Sequence, residues 1–225
     1  MTVRILGIVG SPRKGGNTEI LTEHLLNGAE EMGAETELVS LSDLNLNYCR
    51  GCHHCLETGV CAISDDVELL KEKLLQADGI VLGSSTQAQT ISGNMKVFID
   101  RLLLHVFKQS LQGKYVASIS VGGFYGMNKV TKYLNDTAWA MGANKVGSIT
   151  ARSWEKGDIL KEGQVLARAN KLGKDLLTAI RTKKKYPLQT LFRKTGPLKL
   201  FRKFILMYPE RMPIAYNHWK EKGWL

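Results

Sequence analysis

The sequence has little of what stabilises or addresses a small protein by special means. It carries only four cysteines in 225 residues, and all four, Cys49, Cys52, Cys55 and Cys61, fall within thirteen positions. A disulfide framework spreads its cysteines along the chain, so this clustering excludes one and indicates a metal or redox site. No apolar run reaches the ~18 residues of a membrane-spanning helix, and residues 1–4 lead straight into a strand with no signal-peptide pattern. On this reading the protein is cytoplasmic. Proline is scarce, and four of the five prolines (Pro187, Pro197, Pro209 and Pro213) lie in the last 45 residues. Residues 1–180 also lack any charge excess, with 19 basic and 19 acidic side chains, whereas residues 181–225 hold 12 basic and 2 acidic ones and supply the whole net charge of +10. A uniformly basic nucleic-acid-binding domain is thereby excluded. The chain divides into a neutral body (1–180), long enough to bury a core unaided, and a basic arm (181–225) with eight of the seventeen aromatic residues.

The body alternates strand and helix. Residues 3–9, 37–41, 79–83, 115–121 and 145–149 read as short strands with consecutive apolar positions, the mark of a parallel sheet covered on both faces. Helical spacing occupies 18–32, 65–76, 94–107, 128–141 and 161–181, with Gly33-Ala34 and Gly142-Ala143 as exits. These units predict an open, doubly wound, five-stranded parallel sheet, whose ligands bind in loops at the carboxyl ends of the strands.

The first such loop is Gly10-Ser11-Pro12-Arg13-Lys14-Gly15-Gly16-Asn17-Thr18. Glycines expose backbone amides, Ser11 and Thr18 bring hydroxyls, Arg13 brings a planar cation, and a helix N-terminus follows, which together suit one phosphate. Gly16-Asn17 stands where a nucleotide-binding P-loop requires Lys-Ser/Thr, and no G-x-G-x-x-G occurs here. The plain alternative is a strand–helix turn with a capping Asn or Thr.

The cysteines are spaced C-x2-C-x2-C-x5-C within a long insertion at 43–64. Three thiolates at three-residue intervals, with a fourth returning after a Gly turn, suit an iron–sulfur cubane; zinc is the second choice and a Cys49–Cys52 redox disulfide the third. His53 and His54 read as neighbours of such a site rather than as ligands. No residue presents itself as a general acid or base.

Gly10-Ser11-Pro12-Arg13 with Asn17-Thr18, followed after the third strand by residues 92–101 (SGNMKVFIDR), resembles the NADPH-dependent FMN reductase group of flavodoxin-like proteins over roughly residues 3–175. That resemblance implies a flavodoxin-like fold, FMN phosphate on Ser11, Arg13, Asn17 and Thr18, and the ring between Ser84–Gln89 and Val121-Gly122-Gly123. Ser85, Thr86, Gln87 and Ala88 stand where relatives carry an aromatic residue, which removes one stacking contact. Asp100-Arg101, inside a helix, reads as a structural ion pair. The cysteine motif inserted in such a domain is similar to the iron–sulfur flavoproteins. This implies a 4Fe-4S cluster on Cys49, Cys52, Cys55 and Cys61 beside FMN, in a homodimer or dimer of dimers fed by NAD(P)H or a ferredoxin-like donor.

The leading expectation is therefore an FMN-dependent oxidoreductase coupled to a 4Fe-4S cluster. The alternatives are an NAD(P)H-dependent FMN or quinone reductase with a zinc-bound or empty loop, and an adaptor with a degraded flavin site that docks through its basic tail. In the arm, residues 197–208 read as a helix with Leu198, Phe201, Ile205 and Tyr208 on one face and Lys199, Arg202 and Lys203 away from it. Packing of this arm on the protein itself or a dimer mate is favoured over contact with an anionic membrane surface, and nucleic acid is not expected.

Overall fold

Strands form where β-branched and leucine residues run together. In the computed structural model, which describes residues 2–225, the strands are β1 (Arg4–Val9), β2 (Glu35–Ser40), β3 (Gly79–Ser85), β4 (Tyr115–Gly122) and β5 (Asn144–Arg152). Met1, where the sequence reading begins, lies outside the described residues. All five pair in parallel in the order β2-β1-β3-β4-β5, the doubly wound order whose switch point falls between β1 and β3. Central β4 is buried at every position, while edge strand β2 has none fully buried.

Among the described residues there are ten α-helices: α1 (Asn17–Glu30), α2 (His54–Thr58), α3 (Val67–Gln76), α4 (Gly93–Asp100), α5 (Leu103–Lys108), α6 (Met127–Ala140), α7 (Gly163–Arg181), α8 (Pro187–Thr195), α9 (Pro197–Met207) and α10 (Pro213–Glu221). Alternate strand residues point to opposite faces, so Leu6, Ile8, Ile80 and Val116 pack with α3, α4 and α6, while Ile5, Val81, Ala117 and Ile149 pack with α1 and α7. Helices α1 and α7 approach closely enough that a Cβ on Gly28 would lie 2.0 Å from the Asn170 carbonyl oxygen. One on Gly173 would lie 1.9 Å from that of Leu25. Gly33 and Gly142 end α1 and α6 in the left-handed region, at φ 84° and 111°.

Two segments differ from the sequence expectation. The helix expected over 94–107 is broken at Arg101-Leu102, because its halves serve different cores: Met95 and Phe98 face the sheet, whereas Leu103, Leu104 and Phe107 face the arm. The arm contains three helices rather than one, each with proline in its first turn. Ile205, Met212, Ala215 and Trp219 form a third core with Leu56 of α2 and Leu104 of α5, and Leu198 and Phe201 pack against it. Tyr208 stands apart from that core and meets Phe204 instead, ring centroids 5.1 Å apart. The arm thus covers the cysteine segment of its own chain. Among the described residues no helix is long and apolar enough to cross a membrane.

Candidate functional site

At the carboxyl ends of β1, β3 and β4 the loops enclose a cleft lined by Ser11, Arg13, Gly16, Asn17 and Thr18, by Ser85, Thr86 and Gln87, and by Gly122 and Gly123. The β1–α1 loop is stitched in from two sides. Gly10 N–H donates to the Gly83 carbonyl at 2.8 Å, and the Ser92 hydroxyl donates to the Gly10 carbonyl at 2.5 Å. Gly10 itself is obligatory, since a Cβ there would sit 2.5 Å from that of Met95. Gly15 turns at φ 60°, and α1 then starts after Gly16, a residue with no side chain to cap it. The first amides of a helix have no intrahelical partner, so α1 presents donors and its positive end to the cleft. The Ser11 hydroxyl accepts from Arg13 N–H at 3.3 Å, and Arg13 reaches across to the Trp154 carbonyl at 3.3 Å. Lys14 turns away and pairs with Asp43.

Asn17 performs a different task from the phosphate contact its motif suggests. Its side-chain amide donates to Ser153 Oγ at 2.7 Å and to the Glu155 carbonyl at 2.6 Å, and its oxygen accepts from Gly157 N–H at 2.8 Å. The side chain therefore ties the loop after β5 to the cleft and leaves only the Asn17 backbone for a ligand. That loop brings Ser153 and Trp154 into the lining, two residues that sequence reasoning missed. Trp154 packs so tightly on Gly123 that a Cβ there would lie 2.2 Å from its ring, and it meets Phe124 edge to face at 5.0 Å. An exposed aromatic pair thus stands at the β4–β5 rim, opposite the segment 84–88 where an aromatic is missing. A tryptophan directly after the fifth strand was the available signal.

On the β3 side, Thr86 is fixed by its hydroxyl on Ser120 at 2.8 Å and by its N–H on the Val121 carbonyl at 2.8 Å. Gln87 and Thr90 then exchange both backbone hydrogen bonds around a two-residue turn, with Ala88 at φ 44° and Gln89 at φ 64°. Two non-glycine residues in the left-handed region cost on the order of 1–3 kcal/mol each. Ala88, at this tip, falls outside the cleft lining. The Ser85 hydroxyl is buried and has no hydrogen-bond partner within the protein. A buried, unpaired hydroxyl on the wall of a cleft fits a polar ligand group there.

The cysteine loop is held at its two ends. Arg101 donates to both carboxylate oxygens of Asp65, at 2.8 and 3.0 Å, and to the carbonyls of Asn47 and Ile63 at 2.9 and 3.2 Å. Both side chains are fully buried. Burial opposes the charge on each, yet their bidentate contact keeps Asp65 below and Arg101 above the ordinary value, the Cys61 thiol adding to the latter. The ion pair expected between Asp100 and Arg101 is thus replaced by two others. Asp100 pairs with Lys96 and Arg101 with Asp65, since adjacent helical residues do not face each other.

Between these anchors the chain turns through left-handed Gly51, His53 and Gly59. Cys49 and Cys52 are exposed, and Cys55 and Cys61 are half-buried. Burial pushes the Cys55 thiol up, reinforced by Cys61, Cys49 and Cys52 and opposed by Lys71, so the four sulfurs are electrostatic neighbours. Among the described residues no three His, Cys, Asp or Glu side chains converge on one metal position. A cubane binds each thiolate at a separate iron corner, so its ligands stand further apart than the about 3.8 Å between sulfurs on one zinc. Four thiols are the donor type such a cluster takes, and Lys71 and Arg101 lie close enough to act electrostatically on Cys55 and Cys61. His53 is exposed and His54 half-buried.

The model of the NADPH-dependent FMN reductase family matches residues 3–155. The chain is 33% identical, over 99% of its own length and 100% of the other, to an iron-sulfur flavoprotein of Archaeoglobus fulgidus. It is 41% identical to one of Methanocaldococcus jannaschii over 53% of this chain and 62% of that one. Among solved structures, a flavone reductase superposes with a TM-score of 0.65 at 22% identity over 80% of this chain and 63% of that one. An archaeal flavodoxin superposes with 0.53 at 20% identity over 80% and 99%.

Proposed function

The chain belongs to the NADPH-dependent FMN reductase family and, within it, to the iron–sulfur flavoproteins, and from that premise we propose that this flavin-dependent oxidoreductase couples FMN in the cleft to a 4Fe-4S cluster on Cys49, Cys52, Cys55 and Cys61. The observation that carries the coupling is the loop: four neighbouring thiols, clamped at both ends by one buried arginine. When bound, FMN exchanges two electrons together or one at a time, and the cluster exchanges one, so the pair links hydride donors to single-electron partners.

The residues divide the work. Ser11, Arg13 and Thr18, with the first amides of α1, hold the phosphate at a helix N-terminus. Asn17 acts at one remove, through the loop that carries Trp154. Ser85, Thr86 and Gln87 address one edge of the ring, with the free Ser85 hydroxyl as the hydrogen-bonding group. Gly122 and Gly123 line the other edge, Gly123 leaving room for the Trp154 ring, which borders the ring site there. Among the described residues no Asp, Glu, His, Lys or Cys lines the cleft, which suits chemistry carried by the flavin. Arg101 and Lys71 favour the more negative state of the cluster. NAD(P)H or a ferredoxin-like protein is the electron donor on this reading.

Anaerobic preparation followed by iron and flavin analysis tests it. About four irons per chain alongside FMN is the expected result. Cys55→Ser should abolish most of the iron and spare the flavin. Flavin with zinc or with no metal would reduce the protein to a plain flavin or quinone reductase, and absence of both would leave the adaptor reading.

A further inference from the structure

A second cavity, of about 600 Å³, lies between the arm and the turn that follows α5. Gln109 and Gln112, which precede β4, form its body side, so it opens at the amino end of the sheet, opposite the cleft. Strand β4 has eight residues and separates the two by about 25 Å. Arg193, Lys194, Lys199 and Arg202 line it, together with Trp219 and Trp224.

The cations are its unusual feature. Arg193 is only 8% exposed, and its Nη1 donates to the carbonyls of Gly142 and Ala143 at 2.6 and 3.0 Å. Those contacts fix the guanidinium but bring no opposite charge. None of the four basic residues joins an ion pair among the described residues, and no Asp or Glu lines the cavity. The C-terminal end of α6 beside Gly142 and Ala143 offsets the buried guanidinium only in part, and the unpaired Lys194, Lys199 and Arg202 leave the cavity with an excess of positive charge that an anion would balance. The two indoles meet at right angles, centroids 5.5 Å apart, and the Trp219 N–H is spent on the Phe107 carbonyl at 2.6 Å. Trp219 is 2% exposed in the third core and backs Trp224, whose half-buried indole offers the cavity its apolar surface. The size is that of a small-molecule site.

We propose that this cavity binds an organic phosphate, with the phosphate against Arg193, Lys199 and Arg202 and its flat or apolar body against Trp224. That chemistry belongs both to soluble nucleotides and to phospholipid headgroups. The second source has a place here because Leu188, Leu191, Phe192 and Leu200 are exposed on the same two helices.

Isothermal titration of the full-length, FMN-saturated protein distinguishes them, with ADP as one probe and dihexanoyl phosphatidic acid, below its micelle concentration, as the other. Saturation with FMN closes the cleft to either. At least one probe should bind more tightly than roughly 1 mM. Combined Lys199→Ala and Arg202→Ala, both at exposed positions, should weaken it by about tenfold or more, as the loss of charge-assisted contacts requires. Trp224→Leu should weaken it further, whereas Lys203→Ala, on the same helix but outside the lining, should leave it unchanged. Binding of ADP alone assigns a nucleotide, and binding of the lipid alone a headgroup. No heat with either probe overturns the proposal. So does binding insensitive to Lys199 and Arg202, or inorganic phosphate binding as tightly as both probes with no effect of Trp224→Leu.

Discussion

The cleft and the cysteine loop hold their reactive groups by opposite means. Every wall of the cleft continues a strand, and its loops are joined to one another by Ser92, Thr86 and Asn17, so sheet register sets its geometry before any ligand arrives. The cysteine loop has no strand behind it. Its ends are closed by a single buried ion pair, its middle turns through three left-handed residues, and two of its four thiols stand in solvent. A flavin meets a prepared surface, whereas the proposed cluster would supply cross-links the loop does not make for itself.

The contrast predicts where damage spreads. Arg101→Leu leaves the Asp65 carboxylate buried and two carbonyls unpaired, and should cost about 3–5 kcal/mol in urea unfolding. Iron retention should fall with it while flavin content holds, and equal loss of both would abolish the distinction between the regions. Acid should act through the same side. Burial next to Lys71 and Lys108 pushes the pKa of His105, on α5, down to about 4. The unfolded chain takes up that proton as pH falls through 6.5, and the native protein only near 4, so stability is complete above 6.5 and declines across the window by up to about 3 kcal/mol. His105→Gln should flatten that decline in unfolding measured from pH 7 to 4.5. In the cleft, Ser92→Ala removes the hydroxyl that links Gly10 to Ser84 and should cost about 1–3 kcal/mol, with a weaker hold on FMN. The smallest effect has the reverse sign. Ser85→Ala should leave flavin-free protein unchanged or up to about 1 kcal/mol more stable, because its hydroxyl is buried unpaired, and yet lower flavin affinity in a fluorescence titration.

Much of this was legible in the residues. Consecutive apolar runs such as Ile80–Leu82 specify buried parallel strands, because both faces must be covered, and the glycine exits of α1 and α6 follow from local backbone geometry. The glycine-rich turn at 10–18 and the cysteine spacing are local patterns too. What escaped depends on tertiary placement. Ser153 and Trp154 enter the cleft only because β5 pairs with β4 and Asn17 bonds across a separation of 136 residues. The partner of Arg101 lies 36 residues away, and nothing in its own helix identifies it. Helices α8 and α10 are short and take much of their support from the body, through Arg193 on Gly142 and Trp219 on Phe107, so helical periodicity alone underdetermines them.

The hydrogen bond from Trp219 to Phe107 spans 112 residues and ends six short of the C-terminus. In a chain made from its N-terminus, the sheet and the cysteine loop are complete while α10 is still inside the ribosome. The cover over Leu56 and Cys55 therefore forms after the body, and during synthesis there is an interval in which the body is folded and this apolar patch of α2 lies open. The arm's arrival then covers Leu56 and half-buried Cys55 and leaves Cys49 and Cys52 as exposed as before.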